Sequence, residues 1–268
     1  MNFGLLIAAG DPLSGYYLNA FLTKNLTPSI IIIDEKEYSK RDHEIHKERT
    51  GNQLPSLDLN KITENIKVYS VDNHNSKKCI EIIDQHKVGI LINAGTPRII
   101  KEALLNSLSI GVINAHPGIL PYYRGCTCVE WAIYNNHPIG VTVHLMSEGI
   151  DEGEIISAAF VDLSKATCYK DVRVSVYKES FHLLTDSVRK ILNSDIYDSD
   201  FLVQKEGLYW NLIDENKMKV VIKKLNLKPY KHQIRRDISL NSMKNGELDY
   251  MFTGGVCQGS GPFYSCCF

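Results

Sequence analysis

The chain has 268 residues, 44% of them hydrophobic and 23% charged, and a formal net charge of −1. This is the composition of a globular protein with a sizeable core, and it lacks the basic excess of a nucleic-acid-binding surface. No basic-then-apolar leader opens the chain, no apolar run reaches ~18 residues, and the seven cysteines hold no repeated CxxC pair, so a cytoplasmic protein with reduced thiols and no membrane contact is expected.

Phe3–Ala8 is an apolar run that reads as a strand. Gly10, Asp11, Pro12, Ser14 and Gly15 then form a turn, Tyr16–Lys24 suits a helix, and Ile30–Ile33 is a second strand closed by Asp34 and Glu35. Strand, turn, helix and strand make a βαβ unit, and unbroken isoleucine runs suit strands covered on both faces. Residues 36–66 are polar, with His43 and His46 beside acidic neighbours, and read either as an exposed charged helix or as a loop near a substrate. Ser76–His86 is predicted as a helix, Val88–Ile92 as a strand, Pro97–Leu105 as a short helix and Gly111–Asn114 as a strand. The alternation predicts an α/β protein with a Rossmann-like, mostly parallel sheet and helices on both faces.

Pro117–Arg124 reads as a loop and Cys128–Tyr134 as a short helix. Val141, Val143 and Leu145 alternate with Thr142, His144 and Met146, which is a strand with two different faces. A loop with Gly149, Asp151, Glu152 and Gly153 follows, then a strand over Ile155–Phe160. Tyr177, Phe181, Leu184, Val188 and Ile191 recur at spacings of three and four, the mark of a long helix that closes a main domain of residues 1–193. Residues 194–268 read as a small C-terminal, β-containing appendage. Within it, Gly207–Ile213 and Met218–Ile222 suggest a β-hairpin, and the tail is rich in Gly, Ser and Cys.

The segment Ala9–Gly15 lies between a predicted strand and helix but fits neither GxGxxG nor GxxxxGK[ST], so no nicotinamide or triphosphate site is expected. A helix N-terminus can still hold a substrate phosphate, which makes Gly10 and Asp11 candidate contacts, although the charge of Asp11 is an awkward neighbour for an anion. Asp34 ends the next strand, where a ribose-binding acid can sit. Cys126 and Cys128 lack further ligands at zinc spacing, and no metal is expected.

Asn114 and His116 are two apart at the end of a strand. They share a face at the carboxyl edge, where open α/β sheets bind ligands. Asp151, in its glycine-flanked loop, can reach the same edge. The three suit acyl transfer to an amine. An asparagine amide can stabilise charge on a carbonyl oxygen, a histidine can donate to it or shuttle a proton, and an aspartate can hold the imidazole and favour its charged form. His144 reads as a packed neighbour, His137 as a turn residue, and His74 has no assigned role. Glu130 and Trp131 read as helix-packing residues with ligand contact as the alternative.

The run Asn114-Ala115-His116-Pro117-Gly118-Ile119-Leu120-Pro121-Tyr122-Tyr123-Arg124-Gly125, followed by Asp151-Glu152-Gly153, resembles the folate-dependent formyltransferases, strongly over residues 85–157 and more loosely over the N-terminal half. The resemblance implies transfer of a formyl group from 10-formyltetrahydrofolate, with Asn114, His116 and Asp151 catalytic. It also implies that Arg98, Ile99, Gly149, Ile150 and Asp151 border the folate. Among the acceptors of such enzymes, a nucleotide-linked amino sugar is expected. The tRNA-acting members carry a larger, basic C-terminal domain, and the purine-pathway members end soon after the closing helix. Gly10, Asp11, Tyr122, Arg124 and Trp210 are the expected acceptor contacts, with Tyr16, Tyr17 and Tyr123 as further aromatics. The alternatives are glycinamide ribonucleotide or methionyl-tRNA as acceptor and a catalytically inactive formyltransferase-like binding protein. A formate-releasing hydrolase is a further alternative; its extra N-terminal domain has no counterpart before Phe3. The appendage is expected either to bind the nucleotide or to make a homodimer contact.

Overall fold

The computed structural model describes residues 1–59, 63, 65–226, 230 and 232–252. The first half alternates strand and helix: β1 (Asn2–Ala9), α1 (Ser14–Leu22), β2 (Ile30–Glu37), α2 (Lys40–Thr50), β3 (Lys67–Val71), α3 (Lys77–Gln85), β4 (Val88–Asn93), α4 (Glu102–Leu105) and β5 (Gly111–His116). The second half holds β6 (Arg124–Gly125), α5 (Cys128–Tyr134), β7 (Gly140–Leu145), β8 (Ile155–Phe160), α6 (Tyr169–Leu192), β9 (Tyr209–Trp210), α7 (Glu215–Asn226), β10 (Arg236–Ile238), α8 (Leu240–Lys244) and α9 (Asp249–Phe252). The central sheet has eight strands in the order β10-β8-β7-β5-β4-β1-β2-β3. The strands β3, β2, β1, β4 and β5 are parallel, and β7, β8 and β10 continue antiparallel.

Burial on both faces explains the isoleucine runs. Phe3, Leu5 and Ile7 of β1 pack with Leu18, Phe21, Leu184 and Val188 on one face of the sheet. Leu6, between them, packs with Ile30, Ile32, Ile82, Ile83 and Leu104 on the other. Each such side chain, fully removed from water, contributes roughly 1.5–3 kcal/mol. The strand order reverses between β1 and β4, and their carboxyl ends open the crevice in which α/β sheets take ligands.

The polar segment after β2 is helical over Lys40–Thr50. Ser39 and Asp42 form a capping box at its start, and Gly51, at φ 58°, ends it. The helix predicted over Pro97–Leu105 shrinks to Glu102–Leu105, because the residues before it form an extended wall tied elsewhere. The predicted hairpin of 207–222 is not formed. Tyr209–Trp210 pairs in parallel with Arg124–Gly125, and Met218–Ile222 lies inside α7. Asp214 accepts from the Lys217 N–H at 2.9 Å to start that helix, and Val221 and Leu225 supply its buried stripe. β10 extends the central sheet by pairing with β8. The Gly-, Ser- and Cys-rich tail, with Cys257, Cys266 and Cys267, lies outside the described residues. Among the described residues no helix is long and apolar enough to cross a membrane.

Candidate active site

Antiparallel pairing of β5 with β7 sets Asn114 directly opposite His144 and His116 opposite Thr142. Asn114 Nδ2 lies 3.2 Å from His144 Nε2, and Asn114 Oδ1 accepts from Asn93 Nδ2 at 3.1 Å. His144 Nδ1 sits 2.7 Å from the Leu145 carbonyl, which only accepts, so Nδ1 carries hydrogen and Nε2 is the acceptor for Asn114. Burial, with the charge of His116 adding to it, pushes the His144 imidazole down to about 4, so it stays neutral. The Asn114 amide is thereby fixed at both ends, with one N–H committed to His144 and its oxygen to Asn93.

His116 is held in a similar way. Its Nε2 is 2.7 Å from the Tyr123 carbonyl and therefore carries hydrogen. Its Nδ1 faces Asp151 Oδ2 at 3.3 Å. Asp151 Oδ2 also accepts from the Gly125 N–H at 2.8 Å, and Oδ1 lies 3.7 Å from His144 Nε2. Asp151 has φ 55°, an unfavourable region for a residue with a Cβ. Its carbonyl is pinned by Gln204 Nε2 at 2.9 Å. Gly125 has φ 94°, and a Cβ there would come within 2.5 Å of the Trp210 carbonyl, so β9 can approach β6 only at a glycine.

Beside this cluster lies a cavity of about 380 Å³ lined by Thr96–Ile100 and by His144, Met146 and Ser147–Asp151. Arg98, Ile99, Gly149, Ile150 and Asp151 all line it. Ile99 and Ile150 are 76% and 53% exposed, which gives the cavity apolar walls suited to a flat heterocycle. The Arg98 guanidinium is turned away to Asp34, with Nε at 3.0 Å from Oδ2. Asp34 also accepts from the Lys36 and His74 N–H groups and lies 2.8 Å from His74 Nδ1. Burial works to raise the Asp34 carboxyl, but these donors hold it below the usual range. Asp34 is therefore committed to the wall of this cavity.

Gly10 and Asp11 follow β1. Asp11 Oδ1 accepts from the Leu13 N–H at 2.7 Å in the turn before α1, and a Cβ on Gly95 would meet its Oδ2 at 1.7 Å. Burial, only partly offset by that hydrogen bond, pushes the Asp11 carboxyl up to about 6. The carboxylate therefore lies just ahead of the helix N-terminus that the sequence offers to a phosphate. Arg124 is also committed inward, donating to Gln204 Oε1 and to the Lys205 carbonyl at 3.0 and 2.9 Å. Tyr123, Trp210 and Trp131 stack in succession. Trp210 Nε1 donates to the Tyr122 carbonyl, and Tyr122 stacks on Phe252 and donates to Asp249. Tyr16 and Tyr17 do not join this group and pack instead on Phe181. Among the described residues no group of three His, Cys, Asp or Glu side chains stands where it could hold a metal ion. Sequence reasoning gave no role to Asn93 or Gln204. The pairing of Asn114 with His144 also escaped it, because β5 and β7 are contiguous only in the folded sheet.

Residues 34–186 match the formyl transferase family. The bifunctional polymyxin resistance protein ArnA of Wigglesworthia glossinidia brevipalpis is 29% identical over 150 residues, covering 54% of this chain, which spans only 22% of that protein's length. The methionyl-tRNA formyltransferase of Buchnera aphidicola subsp. Acyrthosiphon pisum (strain Tuc7) is 25% identical over 234 residues, covering 83% of this chain and 72% of its own. Among solved structures, an N-formyltransferase from Helicobacter canadensis, in complex with folinic acid and dTDP-3-aminofucose, shares the fold. Its TM-score is 0.56 at 17% identity, over 84% of this chain and 81% of that one.

Proposed function

The chain belongs to the formyl transferase family, and on that premise we propose that it transfers the formyl group of 10-formyltetrahydrofolate to the amine of a nucleotide-linked amino sugar. The observation that carries this reading is the convergence of Asn114, His116 and Asp151 beside the cavity walled by Arg98–Ile100 and Gly149–Asp151. That cavity suits the folate, which supplies the formyl group. The free N–H of Asn114 then stabilises charge developing on the formyl oxygen. As the acceptor nitrogen bonds to the formyl carbon and the bond to the donor nitrogen breaks, one proton leaves the amine and one reaches the departing nitrogen. His116 Nδ1, backed by Asp151, is the place where that proton is held. The sugar acceptor draws support from the Helicobacter canadensis complex and from the half-buried rings of Tyr122, Trp131 and Trp210, which lie around buried Tyr123.

The deciding experiment offers 10-formyltetrahydrofolate with dTDP-, UDP- and GDP-linked amino sugars, glycinamide ribonucleotide and methionyl-tRNA, and reads product masses. One added formyl group on a sugar nucleotide is the expected result. A gain only on glycinamide ribonucleotide or on the tRNA rejects the sugar acceptor and keeps formyl transfer. Formate without any formylated acceptor rejects both.

A further inference from the structure

A group of buried charges stands near the reacting residues and has no part in the chemistry above. Glu130 on α5 and Arg173 on α6 are 1% and 3% exposed. Arg173 Nη1 lies 3.6 Å from Glu130 Oε1, and its Nη2 donates to the Tyr177 hydroxyl at 2.9 Å. Its guanidinium also covers the Tyr177 ring, with Cζ 4.9 Å from the centroid. Tyr169 donates to Glu130. Among the described residues, Arg173 Nε and Glu130 Oε2 are nevertheless buried without a hydrogen-bond partner. Half-buried Arg49, in the last turn of α2, also reaches the Tyr177 hydroxyl. Burial works to raise the Tyr177 phenol, and the two guanidiniums more than reverse it.

This cluster is connected to the reacting residues from two directions. A Cβ on Gly118 would meet His116 Nε2 at 2.9 Å and Cys128 Cβ at 3.1 Å, so Cys128, the first residue of α5, packs beside His116. On the other side, a Cβ on Gly10, next to Asp11, would meet His43 Nε2 at 3.8 Å, and the ring of His46 on the same helix lies 6.4 Å from that of Tyr177. Asp11 touches Gly95, whose N–H donates to Asn93, and Asn93 holds Asn114. No member of the cluster lines the cavity of Arg98 and Ile150. Among the described residues, two guanidiniums act on the one carboxylate of Glu130. A buried N–H without an acceptor is costly, and a planar guanidinium fork matches phosphate oxygens. The other candidate seat for an anion, the N-terminus of α1, has the Asp11 carboxylate just ahead of it.

We propose that Arg49 and Arg173, with Tyr177 between them, bind a phosphoryl group of the acceptor, namely the diphosphate of a sugar nucleotide. This rests on the reading of the acceptor as nucleotide-linked. Isothermal titration of the full chain with dTDP, UDP, inorganic pyrophosphate and ribose 5-phosphate tests it without turnover. Arg49→Gln is the main variant, because its side chain is only half-buried. The double variant Glu130→Gln/Arg173→Met removes the buried pair together, and thermal melts check that both fold. Loss of a charge-assisted contact weakens binding about ten- to hundredfold. That loss is expected for dTDP and pyrophosphate, while affinity for 5-formyltetrahydrofolate stays within about twofold. Unchanged dTDP affinity in Arg49→Gln overturns the proposal, as does absence of binding of every diphosphate probe to the parent at millimolar concentration. Tighter binding of ribose 5-phosphate than of the diphosphates overturns it too. If a sugar nucleotide is formylated while Arg49→Gln binds dTDP normally, the anion site falls and the function stands. If Arg49 governs diphosphate binding while no sugar is formylated, the acceptor reading falls and the anion site stands.

Discussion

Two carboxylates at the carboxyl edge of the sheet each face a histidine, and they differ in what their surroundings leave open. Asp34 and His74 have fully buried side chains, and the Asp34 oxygens are taken by Arg98 and by backbone N–H groups. Asp151 and His116 keep 14% and 5% of their side chains exposed, and Asp151 lines a cavity. Donors around Asp34 bind a wall in place. Around Asp151 they orient groups beside a cavity: His116 through its Nδ1, and Asn114 with one N–H not taken by His144. A carboxylate beside a histidine is thus no sign of chemistry by itself; the sign is directed capacity that the fold leaves unused.

The largest expected effect tests the open centre. His116→Ala should lower kcat by ~10²–10³ in formyl transfer to the acceptor found by the panel, with an unchanged circular dichroism spectrum. A variant within about threefold of the parent would remove the distinction between the two centres. A smaller loss, about tenfold in kcat, is expected for His144→Phe, which keeps the ring volume but deletes the acceptor that orients Asn114. The pH profile sharpens this one. His144 sits well below the ordinary histidine value, so its contribution to stability is complete above about 6.5 and fades as pH falls toward about 4. The parent should therefore lose stability across that window more steeply than His144→Phe in urea melts.

Much of the parallel half was legible because its signal is local. Isoleucine runs separated by turn residues announce strands buried on both faces, and Asn114 and His116 announce their shared edge through spacing alone. The closed centre was not legible, since Asp34 meets His74 and Arg98 across 40 and 64 residues. α7 was misread for a different reason. Val220, Val221 and Ile222 favour strands, but of them only Val221 is buried, and lysines fill much of the remaining helix surface. Tertiary burial of Val221 and Leu225 outweighed the β propensity of the run.

The closed centre has its own test. Asp34→Asn keeps the shape and removes the charge that holds Arg98. The expected result is a several-fold rise in KM for the folate, with kcat within about threefold, because the wall of the cavity loosens while Asn114 and His116 stay in place. Stability at pH 7 should fall by about 1–3 kcal/mol. The Asp34 carboxyl is held below its ordinary value, so its contribution is present above about 4 and lost as pH falls through the depressed value. The gap between parent and variant should therefore close in acid. A lower kcat at unchanged KM would place Asp34 in the chemistry after all.

Asp11 completes the contrast, because among the described residues it has no salt bridge. The Leu13 and Ser14 N–H groups and the more distant charge of His43 offset burial only in part, and its carboxyl rises to about 6, whereas Asp34, with Arg98 and several donors, falls. The sign of the linkage is opposite to that of Asp34. Between about 4 and 6 the folded chain binds more protons at Asp11 than the unfolded chain does, so this group costs stability as pH rises through that window, by about 3 kcal/mol at most. Asp11→Asn keeps an oxygen for the Leu13 N–H and sheds the charge. Its urea midpoint should exceed that of the parent at pH 7 and match it near pH 4. A variant less stable than the parent at pH 7 would mean that the Asp11 charge is compensated in the fold, and the lack of a salt bridge would no longer separate Asp11 from Asp34.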